Sequence, residues 1–562
     1  MLHIDSLLLE AFYNENKSFF ENARVQKIQQ PTRREIVLQL RNNSETKKLY
    51  ININPNFYHI CFLTPSGEQK RHIEIPKQPP MFCMLLRKHM EGAKILRLNK
   101  PEFERIIELT FENYNELGDR IEECLSVELM GKHSNIVLYN SDNNIILGCA
   151  HNIGAEKSKE RELAGGLPYI YPPRRDKKNL KKTTFAVFEK VLKKSNDTTK
   201  KTINASFYSV SQYLVQEICE NQRINPEKPA NELTTEEIQK LFVAFHEFFE
   251  DAGGLHFSVS ADYEKYSCVN SLEYTYNTVN ELIDDYFSHN IEKQLVFDLK
   301  NKLREKVNKE LKRHKASLNS QKKQLEKKDK TEQYRIKGDL LTANSYKIKS
   351  LEKVVVLQDF ETGKDIEIEL DETKSPIENA QRYYALYNKG KKAFKVALEM
   401  SEKTQEEINA CNQCLYETDI CSSYSELKDI AQELLPENIP SKNKKDKAIN
   451  LTKTEIDGLT VYIGKNNKQN DYLYSKISSP DDLWFHVLNT PGSHIIVKKQ
   501  NQQQSLKDES ILKIAQLAKE YSTAKNSAKV PVVYTLRKYI KRPNNTKSGF
   551  VVYKNETEIV VE

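Results

Sequence analysis

Three cysteines, Cys411, Cys414 and Cys421, have the spacing in this chain that comes nearest to a metal site. A closed structural zinc centre takes four ligands, usually as two such pairs. No fourth ligand lies nearby and the surrounding residues read as helix. The thiols are therefore expected to be structural, and neither metal nor cofactor is expected. His486 and His494 flank a Pro491-Gly492 turn and are the other pair suited to ligation or base chemistry. No acid motif of known geometry accompanies them, which favours packing or hydrogen-bonding roles. Gly464-Lys465 echoes a phosphate loop without the glycine-rich stretch that must precede the lysine. There is no GxGxxG and no nucleophile elbow, so the chain is not expected to be an enzyme. What remains is a polar run, Lys465, Asn466, Asn467 and Asp471, with donors and acceptors for RNA contact, read as a turn after apolar residues 459–463.

The charge distribution is uneven along the chain. A net charge of +7 is mild for 562 residues, but residues 300–330 hold 13 Lys/Arg against 4 Asp/Glu, beginning with Lys300, Lys302 and Lys306. Residues 174–182 and 442–447 form two further basic runs. Such runs serve either as solvated faces and linkers or as phosphate contacts. No apolar run approaches the roughly 20 residues of a membrane helix, and residues 1–15 lack a basic-then-apolar leader pattern. Nine scattered cysteines, an odd count, argue against a disulfide framework. A cytoplasmic protein without a membrane partner is expected.

The elements that would position these residues fall into blocks. Residues 1–173 alternate strand patterns with a helix near residues 82–91. Residues 180–253 read as a helical block, with a Thr234 to Glu237 capping box. Residues 255–337 contain neither glycine nor proline and space Leu299, Leu303, Val307, Leu311, Leu318 and Leu325 by four or seven, as a coiled coil does. Residues 338–376 hold a β-hairpin with Gly363 in its turn, and residues 377–435 a second long helix. A linker over 436–449 precedes a last α+β domain, 450–562. The expected fold class is α+β multidomain, with a long antiparallel coiled-coil arm bearing a small stranded tip.

Several strings in this order resemble the NFACT family, which includes eukaryotic NEMF-like and bacterial RqcH-like ribosome quality-control factors. The clearest is GKNNKQNDYLYSKISSPDDLWFHVLNTPGSH at residues 464–494, similar to the family's NFACT-R module. PMFCMLLRKH at 80–89, ELMGKHSNIVL at 128–138 and the Pro172-Pro173 ending resemble NFACT-N. GDLLTAN at 338–344 and SPIENAQRYYALY at 375–387 look like the segments between the coils. Ser6 stands where the family usually has glycine.

The resemblance implies an NFACT-N domain over 1–173 similar in fold to the N-terminal part of formamidopyrimidine-type DNA glycosylases, a helix-hairpin-helix-like block over 180–253 and NFACT-R over 450–562. Residue 2 is leucine rather than the glycosylase proline, so covalent chemistry is not implied. The family's Asp-Arg pair that supports tRNA recruitment falls on Glu104-Arg105, where glutamate keeps the charge and lengthens the arm by one methylene. A second tRNA-contacting patch falls on Glu128, Leu129 and Met130. No glycine hairpin is found in residues 206–223.

The implied function is to bind a stalled large ribosomal subunit carrying peptidyl-tRNA, recruit alanyl-tRNA and direct alanine tailing of the nascent chain for degradation. An RqcP-like small RNA-binding protein is the implied partner. The rival expectation is a surface adhesin that binds fibronectin, a label often attached to the family.

Overall fold

The computed structural model describes residues 3–114, 118–156, 160–173, 176–250, 255–348, 352–434, 451–499, 506–542 and 551–562. Arg174, Arg175, the 442–447 basic run and the 436–449 linker lie outside them. The chain divides into two units, Met1–Gln294 and Leu295–Glu562.

The first unit is built on a nine-stranded antiparallel sheet. Its strands are β1 (Arg24–Thr32), β2 (Glu35–Asn42), β3 (Glu45–Asn52), β4 (His59–Phe62), β5 (Lys94–Asn99), β6 (Ile106–Tyr114), β7 (Arg120–Glu128), β8 (Asn135–Asn140) and β9 (Ile146–Cys149). They lie in the order β4-β3-β2-β1-β5-β6-β7-β8-β9. Helices Ser6–Phe20 and Met81–Met90 supply Leu8, Leu9, Phe12, Cys83 and Leu86 to its core. Ser6 opens the first of these helices without a positive φ, so the change from glycine costs no backbone strain.

Residues 257–276 correct the expectation that 255–337 is one helical region. They form three short strands, Phe257–Val259, Tyr266–Ser267 and Tyr274–Tyr276, and the long helix begins only at Val279. Val259, Tyr266, Leu282, Ile283, Tyr286 and Phe287 all enter the core of the first unit. The start of that helix is held by a buried ion pair between Asp284 and Arg71, whose side chains are 1% and 0% exposed. Asp284 also accepts from the Thr64 hydroxyl at 2.6 Å and from the Thr64 N–H at 2.9 Å. A Cβ on Gly67 would meet this carboxylate at 2.1 Å, so only glycine fits there.

The helical block is four helices, Phe185–Lys193, Thr199–Ser206, Gln212–Asn221 and Thr235–Glu250, around Phe188, Ile203, Phe207, Leu214 and Phe245. The Thr234–Glu237 capping box forms in both directions, at 2.7 and 3.1 Å. Between the second and third helices the left-handed position is taken by Ser209, φ 61°. No glycine lies in this connection.

In the second unit, the long helix from residue 295 to 325 and helix Lys328–Ala343 run antiparallel to Pro376–Ile420. The pairing runs from Arg304–Asp419 (2.6 Å) through His314–Glu407 (2.8 Å) to Asp339–Tyr384 (2.7 Å), one index rising as the other falls. At 1.5 Å per residue this stretch spans about 50 Å. Leu303, Val307 and Leu311 face Cys421, Ile408 and Cys411 in small apolar clusters along the seam. The second helix does not reach 435 unbroken. It stops at Ile420, and a new helix, Tyr424–Leu434, folds back so that Leu427 and Ile430 cover Leu303. The tip is a hairpin of Val354–Gln358 and Asp365–Glu369, with Gly363 at φ 68° in its turn.

The C-terminal domain is a six-stranded antiparallel sheet, with helix Asp508–Glu520 packed on the face bearing Val461, Phe485, Ile495 and Val532. The opposite face carries Trp484, Ile496 and Val533 under Leu473 and Ile540.

Candidate nucleic-acid interface

Arg105 immediately precedes β6 and is half-buried. Its Nη1 donates to the Tyr58 hydroxyl at 3.1 Å, and Tyr58 in turn stacks on His3 with centroids 5.1 Å apart. Burial holds the Tyr58 phenol above its ordinary range against the pull of Arg105, so it stays neutral. Partial burial, then neighbouring positive charge that includes Arg105, holds His3 below its ordinary value.

Two residues before Arg105, Phe103 stacks on Tyr208 of the helical block at 4.5 Å and 16°. Phe103 has φ 67°, a left-handed conformation rare for a bulky residue and a form of strain that gathers at functional sites. The rest of the planar fork of Arg105 is available to a phosphate or a base edge. The family resemblance points to the arginine and gives no sign of the rings. The string Phe103-Glu104-Arg105 put one ring within reach of notice, but Tyr58 and Tyr208 come from 47 residues upstream and from a different helical block. Glu104 is half-buried, and its N–H bonds to Pro101 O at 3.1 Å.

The second expected patch is largely turned inward. Glu128 is fully buried, accepting from both Nη atoms of Arg161 and from the Tyr169 hydroxyl at 3.0 Å. Leu129 is fully buried in the core. Neither reaches a ligand directly, because the carboxylate holds up the local packing and the leucine fills it. Met130, half-buried, is the only member of this patch with an accessible side chain.

In the C-terminal domain, residues 467–472 are a short helix rather than a turn. Asn466 is 1% exposed and caps it, its Oδ1 accepting from Gln469 N–H at 2.9 Å. Asp471 pairs with Arg542 at 2.9 Å. Lys465 and Asn467 stay half-exposed. His486 and His494 pack beside Trp484, and burial holds both below the ordinary imidazole value, so neither carries charge at neutral pH. Cys414 and Cys421 thiols are pushed up to about 12 by burial. Among the described residues no cluster of three potential ligands is placed to hold a metal ion.

On the arm, Lys300 donates to the Asp419 carbonyl at 2.9 Å and Lys306 lies 3.7 Å from Glu310. Lys302 is exposed and has no ion-pair partner among the described residues. Among these residues no helix is long and apolar enough to cross a membrane.

Residues 5–451 match the family described as NFACT N-terminal and middle domains, and residues 450–555 match the NFACT protein RNA binding domain. The chain is 30% identical over 570 residues to the Rqc2 homolog RqcH of Streptococcus suis, covering all of this chain and 98% of that one. It is 27% identical over 576 residues to the Rqc2 homolog RqcH of Bacillus subtilis, with the same coverage. A solved structure, the N-terminal of the fibronectin/fibrinogen-binding protein from Streptococcus suis, aligns over 51% of this chain and 99% of its own at 25% identity. Its TM-score of 0.41 is too low to bear an argument. Matched from residue 5 to residue 555 by both of its regions, this chain belongs to the NFACT family.

Proposed function

We propose that this chain is a cytoplasmic ribosome quality-control factor. It binds a large ribosomal subunit that still holds peptidyl-tRNA and recruits alanyl-tRNA to it. The ribosome's own peptidyl-transferase centre then extends the nascent chain with alanines, which mark it for degradation. The observation that carries this reading is the end-to-end likeness to RqcH proteins. The chain supplies positioning rather than covalent chemistry: holding one tRNA at one site raises its effective concentration there. Arg105, bonded to Tyr58 of the His3–Tyr58 stack, is assigned to tRNA, with Glu104 orienting or accepting beside it and Met130 as a neighbouring contact. Lys302 on the arm and Lys465 and Asn467 in the C-terminal domain are assigned to RNA of the subunit. An RqcP-like RNA-binding protein completes the elongation cycle.

The test is alanine tailing reconstituted with isolated large subunits carrying peptidyl-tRNA. Arg105→Ala is expected to abolish tailing while subunit binding persists. Tailing at the wild-type rate in that variant overturns the assignment of the site.

A further inference from the structure

At the far end of the N-terminal sheet, three adjacent strands place cations in a row. Arg24 on β1 is directly opposite Arg41 on β2 and directly opposite Lys94 on β5. Directly paired residues share a face of the sheet, and like charges so placed repel. None of the three has an ion-pair partner among the described residues. Among the described residues the Arg24 side chain bonds only to the Gly92 carbonyl, at 3.3 Å, and that of Arg41 only to the Asn43 carbonyl, at 3.2 Å. Glu112, which follows Lys94 across the sheet, lies 3.5 Å from Arg120.

The two arginines line an open groove of about 790 Å³ with Asn22, Gln26, Asn42 and Asn43, and the carboxylate-bearing Glu91 lines it too. A register shift between Val25 and Lys27 leaves both Gln26 and Lys27 exposed beside it. Bulges of this kind re-aim side chains. A fold gains nothing from setting like charges against one another, whereas a polyanion gains a row of cations without carboxylate partners.

We propose that this groove is a second RNA contact, gripping phosphodiester backbone without reading sequence. It rests on the proposed function and adds a site to it. The RNA it grips comes either from the recruited tRNA or from ribosomal RNA.

The experiment measures binding of the full-length protein to labelled tRNA and, separately, to isolated large subunits across a KCl series. Arg24→Gln/Arg41→Gln is compared with wild type and with Arg24→Lys/Arg41→Lys. For one of the two RNAs the Gln pair is expected to reduce the slope of log affinity against log salt by about 1.4–1.8, at about 0.7–0.9 per lost phosphate contact. The Lys pair is expected to retain the slope, and the RNA affected identifies the source of the backbone. Thermal unfolding of the Gln pair is expected at or above the wild-type temperature, because a repulsion is removed. Unchanged slopes on both RNAs, with wild type binding both, overturn the groove and leave the proposed function standing. Wild type binding neither RNA overturns the proposed function and the groove with it.

Discussion

Arg105 and Glu128 are near neighbours across one strand pair: Leu129 N–H bonds to Arg105 O at 2.8 Å, and Glu128 is opposite Ile106. The family resemblance gives both the same role, yet their surroundings are opposite. Arg105 bonds one neutral phenol and keeps most of its fork open. Glu128 is saturated by Arg161 and Tyr169 and closed to solvent. Adjacent charged residues matched to a binding surface can therefore divide the work, one meeting the ligand and the other shaping the backbone that presents it.

The largest expected effect separates them by stability. Glu128→Ala leaves the Arg161 guanidinium, 10% exposed, without its carboxylate. Removing one partner of a buried pair costs about 3–5 kcal/mol. Urea unfolding of the variant is the check, and a midpoint like wild type would break the contrast. Arg105→Ala is expected to cost less, about 1 kcal/mol, the scale of its one hydrogen bond to Tyr58. Its tRNA affinity should fall by about 1–3 kcal/mol, the scale of a lost bidentate contact.

A further contrast sets Glu128 against Glu417, which is 1% exposed at the base of the arm. Burial first, then repulsion from Glu433, lifts its carboxyl to about 8. The folded state therefore holds a proton that the unfolded state releases above its ordinary value of 4.5. Stability should fall as pH rises from about 4.5 to about 8 and level off beyond it. Glu417→Gln should flatten that decline in unfolding midpoints measured across the range, and an equal slope in both proteins would remove the carboxyl as its source. The smallest expected effect is on the arm. Lys302→Gln should lower the salt slope of subunit binding by about 0.7–0.9, one phosphate contact. Lys300→Gln should change it less, because its ammonium already donates to Asp419.

Periodicity made much of the fold legible. The alternating runs of β2, β3 and β8, the Thr234 capping box and the Gly363 hairpin all follow from local patterns. The misses have physical reasons. Residues 257–276 lack glycine and proline, yet their strands are set by packing into a distant core. The 464–471 run reads as a turn by composition, but Asn466 caps a helix and Gln469 and Asn470 bury their amides. Ser209 adopts a backbone that glycine usually marks. At the site, Arg105 was legible by resemblance, whereas its rings come from remote segments and the inward turn of Glu128 depends on Arg161. Nothing local in the sequence encodes either.

The central claim is tested most directly by recovering the tagged protein from cells and sequencing the RNA bound to it, for wild type and for Arg105→Ala. The account predicts large-subunit ribosomal RNA with alanine tRNA on wild type, and the same ribosomal RNA without the tRNA on the variant. Equal tRNA on both proteins, or no enrichment of large-subunit RNA on wild type, would contradict it.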